Sequence, residues 1–130
     1  MDNLSLLVVG GGSIGQRHAK NLLRLLKSVK LYSYRNSIGE IINPINGVEI
    51  VSDLHKEIEK SDGVVIANRT DQHIEIAKIA LQLKKHILIE KPLSNSMQGV
   101  NQLKDLVGGT TKLIESGFML RFHPNLIALK

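Results

Sequence analysis

Short apolar runs of strand length alternate with segments of helical period along most of the chain. Residues 4–10 read as a first strand. Residues 14–27 read as a helix whose inner face is Gly15, Ala19, Leu22, Leu23 and Leu26. Residues 29–34 give a second strand, and a polar stretch with Asn36, Ser37, Gly39, Asn43, Pro44 and Gly47 follows, all turn formers. A third strand is expected over 48–51, then a short helix over 53–60 with Ser52 as its cap. Residues 63–67 form a fully apolar fourth strand, 71–84 a helix, and 86–89 a fifth strand. Asn95 or Ser96 can cap the next helix, which Gly108 and Gly109 are expected to end through a left-handed turn. Residues 112–118 complete the pattern as a sixth strand.

Strands alternating with helices predict an α/β protein with a doubly wound parallel sheet. Right-handed crossovers favour the Rossmann order 3-2-1-4-5-6. That order sets the carboxyl ends of strands 1, 4 and 5 side by side, with neighbours about 4.8 Å apart. The turns leaving these strands should therefore line one crevice. Residues 1–122 are expected to form this domain, with 123–130 starting a connection to something beyond it.

The first of those turns carries the clearest chemistry. Gly10, Gly12 and Gly15 form a G-x-G-x-x-G loop directly between a strand and a helix. Gly10 permits the turn, Gly12 lets a pyrophosphate approach the backbone, and Gly15 lets helix and strand lie close. Free N–H groups around Ser13 and Ile14, at the positive end of the helix dipole, suit a phosphate. A nicotinamide dinucleotide is the expected cofactor.

The remaining strand ends give that loop a direction. At the end of strand 2, where an acid would accept from the ribose hydroxyls of NAD, the chain has Tyr34 and Arg35, with no acid before Glu40. A guanidinium fork pairs with a 2′-phosphate, so NADP is favoured over NAD, and Tyr34 can stack on adenine or on Arg35. Strand 4 leaves through Asn68, Arg69 and Thr70, which can reach ribose or phosphate, with His73 as either a contact or a packing residue. Strand 5 leaves through Glu90, Lys91 and Pro92. A lysine on a crevice wall can act as an acid–base group. Glu90 can orient it or hold the nicotinamide ribose, and a cis bond before Pro92 would aim it inward.

Bulk properties narrow the alternatives. The chain has 130 residues, 42% of them apolar, no cysteine and a net charge of +5. That is enough for one core, and disulfides and thiolate metal sites are excluded. No metal site is expected, since no two of the five histidines share a ligand spacing. There is no apolar run of about 18 residues and no leader pattern, so a cytoplasmic location away from membranes is expected. Arg17, Lys20, Arg24 and Lys27 fall on one exposed face of the first helix, and stacking aromatics are few, which argues against nucleic acid as a partner.

Taken together, Gly10 to His18 as G-x-G-x-x-G-x-x-H, the helix-start histidine after strand 4, the Glu90-Lys91-Pro92 turn and Gly117-Phe118-Met119-Leu120-Arg121-Phe122 resemble a known family. The chain is similar to the N-terminal half of the glucose–fructose oxidoreductase / inositol dehydrogenase (Gfo/Idh/MocA) family. The resemblance implies hydride transfer between NAD or NADP and a hydroxyl of a sugar, nucleotide sugar or cyclitol. It implies Lys91 as the catalytic lysine, Glu90 beside the cofactor and Arg121 at the edge of the site. It also implies a further substrate domain, absent from these residues, so this stretch alone is expected to bind cofactor without turnover, and homo-oligomers are possible. Asn68-Arg69-Thr70 stands where the family often has Thr-Pro-Asn, and Met119 where many members have Asn. The alternative is a non-catalytic module that holds or senses a dinucleotide.

Overall fold

The structure, a computed structural model, describes residues 3–35 and 44–129. The turn formers Asn36, Ser37, Gly39 and Asn43, and Glu40 with them, lie outside the described residues. Six strands run in chain order: β1 (Leu4–Val9), β2 (Val29–Tyr34), β3 (Val48–Val51), β4 (Gly63–Ile66), β5 (His86–Ile89) and β6 (Ile114–Ser116). They form one parallel sheet in the order β3-β2-β1-β4-β5-β6, as expected. Register is continuous across its centre, Val9 pairing with Tyr34 on one side and Ile66 on the other, and Ile66 with Ile89. The last residues of four neighbouring strands thus end level, which gives the crevice a flat floor.

Helices cover both faces. Because side chains alternate along a strand, β1 feeds two separate cores. Leu7 and Val9 pack with Ile58, Ile66, Ile76, Ala77 and Leu103, under α2 (Leu54–Lys60), α3 (His73–Gln82) and α4 (Met97–Val107). Val8 packs on the other face with Ala19 of α1 (Ser13–Leu25), Leu31 and Val65. All four residues of β4 are buried, as suits a strand covered on both sides. A final helix, α5 (Pro124–Ala128), has no buried residue.

Several local expectations are corrected. Asp53, not Ser52, caps α2, because its carboxylate accepts from Lys56 N at 3.1 Å. Of the two candidates for α4, Ser96 is the cap, its hydroxyl accepting from Gly99 N at 3.3 Å. That helix does not end in a left-handed turn: Gly108 has φ −60°, and Gly109 is also without a positive φ. A short 3-10 turn, Thr70–Gln72, precedes α3, which begins at His73 and not near Asp71. The helix α1 stops at Leu25, and β6 is three residues long instead of seven. Leu26, Leu113 and Gly117 still make one backbone hydrogen bond each to the element or its neighbour, although they lie outside it, so the apolar pattern runs past both ends.

Candidate functional site

The glycine turn forms as its residue types demand. Gly10 has φ +119°, and a Cβ there would lie 2.6 Å from Ala67 O at the exit of β4. A Cβ on Gly15 would run into the carbonyl oxygen of Gly10, so α1 sits as close to the strand end as backbone allows. Gly12 differs from both: a Cβ on it would meet nothing within 4 Å. It caps α1 without any side-chain cap bond, leaving the first N–H groups of the helix open to the crevice.

Beside this turn lies a cleft of about 730 Å³, within the usual range for a small-molecule site. Gly10, Gly12, Tyr34, Arg35, Asn68 and Arg69 all line it, and Leu54, Ile76 and Ile79 supply an apolar wall. The Arg35 side chain lies along Gly11, where a Cβ would collide with it. Its Nε is buried without a hydrogen-bond partner, as is Asn68 Oδ1 on the opposite side. Asn68 Nδ2 donates to Gln72 Oε1 at 2.8 Å, which turns Oδ1 away from that partner. Arg69 is spent on Asp71, with Nε 3.2 Å and Nη2 3.3 Å from its carboxylate oxygens.

Not every expected residue reaches the cleft. His73 is 1% exposed, and both ring nitrogens face backbone carbonyls, Nδ1 at 3.0 Å from Pro92 O and Nε2 at 3.1 Å from Asn68 O. A neutral imidazole has one N–H to donate, so it serves one carbonyl at a time. His73 is the packing residue of the two alternatives: it ties the turns after β4 and β5 together from behind. Ser13, Ile14, Thr70, Glu90, Lys91 and Arg121 are outside the cleft lining, and Gly15 acts through packing alone.

The second group gathers at the ends of β5 and β6. The Lys91–Pro92 peptide is cis. Lys91 is exposed, and among the described residues no carboxylate lies within ion-pair distance of its Nζ. Glu90 is 9% exposed and fully engaged: Oε2 accepts from Lys91 N at 3.1 Å, and Oε1 lies 2.6 Å from His18 Nε2. A Cβ on Gly117 would be 2.9 Å from Glu90 Oε2, so that glycine makes room for the carboxylate. Arg121 is exposed, 4.0 Å from Glu115 and 5.9 Å above the Phe122 ring. His18 ends the glycine motif in the sequence, but the sequence assigns it no role; its bond to Glu90 is what the structure adds. Its spacing, one helical turn past Gly15 on the sheet-facing side of α1, was the available signal.

Comparison with known proteins agrees with this geometry. Residues 4–118 match the model of the oxidoreductase family with an NAD-binding Rossmann fold, Gfo/Idh/MocA. Myo-inositol 2-dehydrogenase of Thermotoga maritima is 29% identical over 129 residues, 95% of this chain and 38% of that protein. Inositol 2-dehydrogenase of Mycolicibacterium smegmatis is 31% identical over 140 residues, 100% of this chain and 40% of that protein. Scyllo-inositol dehydrogenase of Lactobacillus casei, solved with NAD(H) and scyllo-inositol, superposes with a TM-score of 0.83 at 21% identity. It covers 98% of this chain and 40% of its own. The chain therefore spans about two-fifths the length of the relatives it matches. It belongs to the Gfo/Idh/MocA oxidoreductase family and carries its NAD-binding Rossmann fold.

Proposed function

With that membership as premise, we propose that the chain holds the nicotinamide dinucleotide of a dehydrogenase acting on a ring hydroxyl of a cyclitol or sugar-type substrate. The observation that carries the reading is one carboxyl edge of the sheet with two unlike stations along it. An uncapped helix start and open Gly12 lie at the exit of β1, and an unpaired lysine lies two strands away at the exit of β5. Residues 1–122 form the dinucleotide-binding domain in this reading, and 123–130 lead to the part of the longer protein that selects the substrate.

The residues present fit such a cofactor. Buried, unpartnered Arg35 Nε and Asn68 Oδ1 offer a donor and an acceptor on opposite walls of the cleft. Backbone N–H groups near Gly12, Ser13 and Ile14 take the pyrophosphate, Tyr34 and the apolar wall the adenine, and Asn68 the ribose–phosphate between. When bound, the dinucleotide supplies the hydride acceptor. As the free amine, Lys91 Nζ receives the proton of the substrate hydroxyl; as the ammonium it returns that proton to the carbonyl oxygen in the reverse direction. Glu90 fixes the turn that presents it.

In the full-length protein, Lys91→Ala should lower kcat by about 100-fold or more while leaving dinucleotide affinity nearly intact. Survival of activity would overturn the catalytic assignment. Dinucleotide binding without turnover of any cyclitol or sugar would make this a binding module instead. The cofactor choice is a finer proposal: Arg35 beside Gly11, with no carboxylate at the end of β2 among the described residues, favours NADPH. Titration should show that preference, and Arg35→Ala should remove it; equal affinities for NADH and NADPH in the unsubstituted protein refute it.

A further inference from the structure

We propose that His18 is a positioning residue for Lys91, acting by keeping the Glu90 carboxylate occupied. The inference rests on the reading of Lys91 as the proton-handling group. A nearly buried carboxylate must satisfy both of its oxygens. Here one oxygen is held by Lys91 N and the other by His18 Nε2. The carboxylate sits against Gly117, which leaves no side chain to push it elsewhere. With one donor on each oxygen and Gly117 against it, the Glu90 carboxylate is held in place, and Lys91 stays exposed without an ion pair.

His18 is suited to this by its anchorage. It stands in α1 one turn past Gly15, whose contact with Gly10 O fixes where that helix lies. The His18 side chain is 23% exposed, so the contact lies at the margin of the core and not within it. The His18–Glu90 bond thus joins the helix that starts at the glycine turn to the strand end that carries Lys91. Without the imidazole, Glu90 Oε1 loses its partner, and the nearest cation along the chain is Lys91 itself. A lysine drawn into that pair is misplaced for the substrate oxygen, and misplacement by about 1 Å can cost on the order of 100-fold in rate.

The test uses the full-length protein and two readouts. His18→Ala should lower kcat by roughly 10- to 100-fold with little change in the dinucleotide Kd, measured by NADH fluorescence. His18→Gln, whose amide can donate to the same oxygen, should recover most of that loss. Glu90→Gln on top of His18→Ala should cost less than the two single effects combined, because the residues act as one unit. Independently of turnover, a crystal structure of His18→Ala should place Lys91 Nζ within ion-pair distance of Glu90. The proposal is overturned if that structure leaves Lys91 where it was, if Gln fails to rescue, or if the loss lies wholly in dinucleotide affinity. A full-length protein with no dehydrogenase activity refutes the function proposed above, and the crystallographic readout still decides this inference.

Discussion

At the exit of β1 the groups left open are the backbone N–H groups of a helix start, and what matters there is the absence of side chains. At the β5 end the arrangement depends on side chains that hold one another: His18 on Glu90, Glu90 on the Lys91 amide, His73 on the Pro92 carbonyl. The helix starts show the same contrast. The caps of α2 and α4 use Asp53 and Ser96 side chains, whereas α1 and α3, which begin at the crevice, have no side-chain cap. At α1 the donors that a side-chain cap would consume are left open, whereas the 3-10 turn before α3 engages the His73 N–H with Thr70 O. One end is therefore a site made by omission, the other a site made by mutual constraint.

Putting the same methyl group at three glycines separates these two designs. The largest effect is expected from Gly15→Ala, where the Cβ would overlap the Gly10 carbonyl and backbone must move. It should destabilise by about 3 kcal/mol or more, seen as lost soluble yield or a Tm lower by roughly 10 °C. A Tm unchanged within error would mean that α1 does not approach the strand this closely. Gly117→Ala comes next. Its Cβ would meet the far end of a flexible carboxylate at 2.9 Å, and Glu90 can retreat from it. A stability loss of about 1 kcal/mol should accompany a fall in kcat like that of His18→Ala. Full activity in Gly117→Ala would show that the position of Glu90 does not govern Lys91.

These two ends were not equally legible in the sequence. The glycine turn could be read because its requirements are local: strand, tight turn and helix are contiguous, and each glycine answers to atoms a few residues away or on the next strand. The strand order followed from chirality rules, and with it the placement of Arg35, Asn68 and Lys91 at one edge of the sheet. The β5 end was legible in its residue types and not in its bonds. Glu90 could have paired with Lys91, with a ribose or with nothing in view. That it takes His18, 72 residues earlier, is fixed by how α1 lies on the sheet. His73 likewise could cap, pack or bind, and its contact with the Pro92 carbonyl, 19 residues later, is set by the fold and not by local sequence. The Asp53 cap was misplaced by one residue because Ser52 and Asp53 are equally good acceptors, and backbone direction alone chooses between them.

The smallest expected change in stability comes from Gly12→Ser, and it tests the omission most directly. Gly12 already has φ −72° and ψ −175°, an extended conformation any residue adopts, and open space surrounds the position of a Cβ. A serine there can cap α1, which now lacks a side-chain cap, and should stabilise by a few tenths of a kcal/mol at most. The same hydroxymethyl group would stand where the pyrophosphate must approach the backbone, and its oxygen would occupy an N–H that the phosphate needs. Dinucleotide affinity should fall by about tenfold or more, a loss of at least ~1.4 kcal/mol, while Tm holds or rises slightly. Calorimetric titration beside a thermal melt reads both quantities from one preparation. Were affinity to survive with the cap in place, the open helix start would not be the phosphate site, and the contrast between the two ends of the crevice would fail at its stronger half.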